Sequence, residues 1–160
     1  MTKPDDGPEL VGMGLYWQDI AVGQRFRTLN RTVSEADIVA FIGTTGMTEV
    51  MFTDATFAQG AAASGRIAPA ALTWTLIEGL LCQSIIQGTG LALLEADLRV
   101  RVPVHAGDTV HAIVEVVSIR QTSRGNRAVV TTTNDIINQT GETVIACRAV
   151  RMQAGRPDAA

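Results

Sequence analysis

The chain has 160 residues, with 13 Lys and Arg against 16 Asp and Glu and a formal net charge of −3. Hydrophobic residues make up 46% and charged residues 18%, which suits one domain with a sizeable core and excludes a disordered chain. A pI near 5.3 argues against a sequence-independent nucleic-acid binder, which needs a basic excess. No apolar run reaches the roughly 18–20 residues that span a bilayer. The segment from Met1 to Pro8 is acidic and rich in Pro and Gly, unlike a signal peptide, so a cytoplasmic protein is expected. Cys82 and Cys147 form no disulfide framework and read as two small buried thiols. With two histidines and no CxxC or HxxxH spacing, no metal site is expected.

Residues 1–14 and 154–160 are expected to be flexible tails around one domain, 15–153. Gln24–Thr32 reads as a first strand. Ser34 suits an N-cap, with Asp37 three residues on in the capping-box position. The short helix that follows should end near Gly43, and Thr44–Asp54 should be a loop. Ala68–Gln87 gives the longest helical signal. It is apolar nearly all round, as a buried helix is, with Pro69 in its first turn and Gly88 as C-cap. Beyond Gly90 the period falls to two, and Leu91–Val102, Thr109–Thr122, Asn126–Gln139 and Glu142–Met152 read as strands. Their short connections predict an antiparallel meander. The fold class is therefore α+β: one antiparallel sheet of about five strands wrapped around one long central helix, the hotdog arrangement. Its outer sheet edge and helix flank lead us to expect a dimer.

Four segments then carry a family resemblance. Tyr16–Phe26 (YWQDIAVGQRF) resembles the opening of the MaoC-like dehydratases, the family of (R)-specific enoyl-CoA hydratases. Thr32–Phe41 (TVSEADIVAF) resembles its first helix. Gly65–Leu72 (GRIAPAAL) resembles the G-R-I-A-H-G-M-L segment leading into its central helix, and Val102–Val110 (VPVHAGDTV) its P-V-x-x-G-D-x-L turn. The four occur in the family's order and span about 15–152.

The resemblance implies an acyl thioester of coenzyme A, or of a carrier protein, as the ligand, with no other cofactor. It also locates a departure. The family motif G-D-x-N-P-x-H, with an Asp two residues on, is here Gly46–Asp54, GMTEVMFTD. Met47 stands where the family has its catalytic Asp and Phe52 where it has its catalytic His. Glu49 and Val50 replace Asn and Pro. Hydration of a conjugated thioester needs one group to take a proton from water and another to protonate the α-carbon. A thioether and a phenyl ring can do neither, so impaired hydration is expected.

The other half of the site is retained. In the family, a backbone N–H just after the His before the central helix polarises the thioester carbonyl, and the matching residue is Ala70. The Gly65–Ala70 loop, with Gly65 and Ile67, should therefore bind the thioester. Met47, Met51 and Phe52 should line an apolar pocket. Glu49 and Asp54 are the remaining acids near the lost pair and the candidate catalytic groups, Asp54 reading more simply as a cap. Glu78, inside the apolar helix, needs a partner if buried. His105 and His111 flank the Gly107-Asp108 turn and read as solvated residues remote from the site. Two alternatives stay open: a non-catalytic subunit in a hetero-oligomeric hydratase, and an acyl-thioester hydrolase using Glu49. The expected partners are the acyl thioester and a second copy or related hotdog chain, with neither nucleic acid nor membrane.

Overall fold

The computed structural model describes residue 8 and residues 10–157; the rest of the expected tails, 1–7, 9 and 158–160, lies outside the described residues. Two short strands, β1 (Arg25–Arg27) and β2 (Arg31–Thr32), precede helix α1 (Glu35–Thr45). A single turn of helix, α2 (Val50–Thr53), and a 3₁₀ turn (Gly60–Ser64) lead to the central helix α3 (Ala70–Cys82). Strands β3 (Gly90–Val100), β4 (Thr109–Gln121), β5 (Arg127–Ile137) and β6 (Thr143–Ala154) complete the chain.

The sheet is antiparallel and 6-stranded, in the order β1-β4-β5-β6-β3, with β2 also on β4. Its inner face supplies Val110, Ala112, Val114, Ile136 and Ile145 to a core completed by Ile38 and Ile42 of α1 and Leu72, Ile77 and Leu81 of α3. Burying the apolar side of α3 in this way is what holds a helix of modest intrinsic propensity. No helix among the described residues is long and apolar enough to cross a membrane.

Several boundaries differ from expectation, each for a local reason. The first strand breaks in two between Arg27 and Arg31, where the Thr28 hydroxyl turns inward to accept a hydrogen bond from the Ala112 N–H at 2.9 Å. Helix α1 runs past Gly43 and stops at Gly46, which takes the left-handed conformation (φ 72°) and donates its N–H to the Ile42 carbonyl. The expected loop 44–54 contains α2. Helix α3 ends at Cys82 rather than Gln87. Beyond it, the carbonyls of Ile85 and Gln87 accept from the N–H groups of Leu15 (2.8 Å) and Gly14 (2.7 Å) instead of continuing a helix. Gly14 is thus pinned where a tail was expected, and a Cβ there would stand 2.5 Å from the Ile85 oxygen. At the other end, Gly155 bonds the Asn126 carbonyl at 2.7 Å, just beyond β6. Cys147 is buried as expected, but Cys82 is exposed on the open side of α3.

The largest difference is topological. β4, β5 and β6 form the expected meander, but β3 pairs with β6 and not with β4. The connection 101–108 is too long for a tight hairpin. It crosses the end of the sheet, passes the start of α3 and is fastened there. The Ala68 N–H donates to the Val104 carbonyl (2.7 Å), the Ala106 N–H to the Arg66 carbonyl (3.1 Å), and Ile67 pairs with His105 as an isolated antiparallel bridge.

Candidate active site

The loop leading into α3 and the short helix α2 enclose two adjoining cavities. One, of about 260 Å³, is lined by Ile67, Ala70 and Thr73 from the start of α3 and by Val102, Pro103 and Ile145 opposite. The other, of about 270 Å³, is lined by Asp54, Phe57, Gly65 and Arg66. Met51 and Phe52 border both, so α2 forms the wall between them.

Pro69 is the N-cap of α3 and Ala70 its first residue. Helix geometry leaves the Ala70 N–H without an intrahelical carbonyl, and the first turn carries the positive end of the helix dipole. The amide therefore sits at a cavity wall where an oxygen with developing negative charge would be stabilised. Sequence reasoning missed Thr73, one turn further along. It is 0% exposed, and its hydroxyl has no hydrogen-bond partner among the described residues. A buried hydroxyl without a partner costs free energy unless a bound molecule satisfies it. A Thr in an apolar helix gives no such signal in the sequence.

The acids and apolar residues of the 46–54 segment fall in different places. Phe52 packs against the main core and, with Met51, lines the cavities. Met47 follows the Gly46 cap, is 37% exposed and borders neither cavity. Glu49 is the exposed N-cap residue of α2 and also borders neither. Asp54 does reach a cavity, but its carboxylate accepts from the Thr56 hydroxyl (2.6 Å) and the Thr56 N–H (2.8 Å). Those bonds hold its pKa below the ordinary carboxylate value, which makes it a poor proton acceptor and a good loop cap. Glu78 has its partner in Arg151 of β6, and the pair is largely buried between α3 and the sheet. Glu95 and Asp97 face out from β3.

The two histidines part company. His111 on β4 is remote from the cavities, and burial together with the Arg27 guanidinium lowers its pKa. His105 is not remote. The crossing of the 101–108 connection sets its Nε2 3.2 Å from the Ala61 carbonyl oxygen and 3.1 Å from the Oγ of Ser64, next along the chain from Gly65, which lines the 270 Å³ cavity. Nothing local to positions 64 and 105 announces this contact, because it depends on the Ile67–His105 pairing.

Known proteins place this architecture. Residues 19–140 match the MaoC like domain. The chain is 31% identical over 133 residues to an (R)-specific enoyl-CoA hydratase of Aeromonas caviae, covering 83% of this chain and 95% of that one. Its fold is similar to the crystal structure of a MaoC-like dehydratase from Rhodospirillum rubrum, with a TM-score of 0.80, 30% identity, and 90% and 99% of the two chains covered. A Mycobacterium tuberculosis protein with a double hotdog fold shares the fold at a TM-score of 0.76 and 22% identity, over 95% of this chain and 47% of that one. With the motifs, the wrapped sheet and these likenesses in agreement, the chain belongs to the MaoC-like dehydratase family.

Proposed function

We propose that this chain binds acyl thioesters of coenzyme A or of a carrier protein, and that its capacity to hydrate or dehydrate them is impaired. The observation that carries the reading is the 260 Å³ cavity at the start of α3, which combines the Ala70 amide with apolar walls and has Thr73 buried directly behind its surface. A polar end suited to a carbonyl and an apolar remainder suited to an acyl chain are what a thioester site requires. The thioester itself is the only ligand the reading needs, with no resident cofactor.

Phe52 occupies the position from which the family's catalytic His would act, and it presents a phenyl ring to both cavities. Each missing acid–base group lowers the rate by about 10²–10⁴-fold. The purified chain should therefore bind crotonyl-CoA, measured calorimetrically, while hydrating it far more slowly than a dyad-bearing relative assayed beside it. Hydration at the relative's rate would refute the impairment; absence of binding would refute the thioester reading.

The reading includes a second subunit. β3 is an edge strand with Leu91, Leu94 and Val100 about half exposed along it. An edge of that length and polarity needs a cover, and a second copy or a related hotdog chain would supply one. The cytoplasm, with its coenzyme A pool, is the proposed location.

A further inference from the structure

We propose that Ser64 and His105 form a nucleophile–base pair, oriented by Asp108, that cleaves an acyl thioester by way of an acyl-serine. Ser64 ends the 3₁₀ turn and is followed by Gly65 at φ 128°, a conformation that favours glycine. The sharp change of direction leaves the Ser64 side chain exposed, bracketed by Ala63 and Gly65 of the cavity wall. Ser64 Oγ lies 3.1 Å from His105 Nε2, within reach for proton transfer. On the other side of the ring, Nδ1 lies 3.9 Å from Asp108 Oδ2. That carboxylate is fixed by the His105 N–H on Oδ2 (2.7 Å) and by the Gln139 side-chain amide on Oδ1 (2.6 Å). That separation is longer than a hydrogen bond, and catalytic hydrogen bonds are often long without substrate and tighten in its complex.

The chemistry balances with water as the second reactant. Ser64 Oγ attacks the thioester carbonyl carbon and passes its proton to His105 Nε2. The imidazolium so formed is stabilised by Asp108 and by the Ala61 carbonyl, 3.2 Å from Nε2. A donor for the tetrahedral oxyanion is at hand in Arg66, which lines the cavity and whose buried Nε–H has no partner among the described residues. The C–S bond breaks, and the thiolate leaves with the proton held by His105. Water, deprotonated by His105, then attacks the acyl-serine and releases the carboxylic acid and free Ser64. The pair uses neither Met47 nor Phe52, so it is independent of the missing acid–base groups. The choice of a thioester rests on the binding reading above, with the carbonyl to be cleaved turned from Ala70 in the 260 Å³ cavity to Arg66 in the 270 Å³ one; the Ser64–His105 geometry does not rest on it.

Two measurements on the full chain separate those parts. A fluorophosphonate, which needs no coenzyme A site, should add its mass to Ser64. Ser64→Ala should abolish the adduct, and His105→Gln should slow it about 10³-fold with an unchanged melting temperature. Thiol release from butyryl-CoA should fall about 10³-fold in Ser64→Ala. Failure of Ser64 to label, or thiol release unchanged in Ser64→Ala, overturns the proposal. Labelling of Ser64 without any cleavage of butyryl-CoA overturns the thioester as substrate and leaves the pair standing.

Discussion

Asp37 shows how much one side chain decides. Its carboxylate accepts from the Ser34 N–H (2.8 Å) and hydroxyl (2.7 Å), while Ser34 Oγ accepts the Asp37 N–H (3.1 Å), closing the capping box of α1. The Ser34 bonds, with Arg31 beside them, hold the Asp37 pKa below the ordinary carboxylate value. A depressed folded pKa means that the stability is present above the unfolded pKa and is lost as pH falls through the folded one. Asp37→Ala should cost about 1 kcal/mol at pH 7 in chemical denaturation, and the gap from wild type should close in strong acid; a gap that persists there would assign the loss to something other than the carboxylate. Thr73 makes the opposite case. Its hydroxyl has no partner among the described residues, so Thr73→Val should leave the melting temperature unchanged or raised. The same change should weaken crotonyl-CoA binding by about 1 kcal/mol, roughly 5-fold; equal affinity in calorimetry would remove Thr73 from the ligand's contacts.

Among the elements, β3 is the one whose sequence exceeds its surroundings. At 11 residues it is as long as β5 in the sheet's middle, yet it lies at the edge with only β6 beside it and is exposed along nearly its whole length. If the edge is covered by a second copy as proposed, replacing Leu91 and Leu94, both about half exposed, by Lys should shift sedimentation to the monomer. An unsubstituted chain that sediments as a monomer would show that this edge is tolerated uncovered. The central helix offers a complementary lesson. Its apolar face needed only the sheet, but its end was set by the N-terminal segment, whose Gly14 and Leu15 amides capture the carbonyls of Gln87 and Ile85.

Over the whole molecule, one crossing assembles the site. By passing the start of α3 on the way from β3 to β4, the 101–108 connection closes a cavity wall with Val102 and Pro103 and delivers His105 to Ser64. The double variant Met47→Asp, Phe52→His tests whether that frame still supports the family's ancestral reaction. It should gain crotonyl-CoA hydration that neither single variant shows, because paired acid–base groups act as a unit. No gain in the double variant would mean that the exposed placement of position 47, and not only the lost groups, separates this chain from its hydratase relatives.

The fold class, the capped first helix, the long apolar helix, the β-strands after Gly90 and the family are all legible in the residues, because each rests on periodicity or on residues close in the chain. The proposed loss of the acid–base pair at Met47 and Phe52 is likewise a reading of residues close in the chain. That β3 borders β6, that Asp54 caps its own loop, that Glu78 faces Arg151 and that His105 meets Ser64 emerges only in the folded chain. Those outcomes turn on which distant backbone groups find hydrogen-bond partners once the core has closed, and residues 41 positions apart carry no local record of that choice.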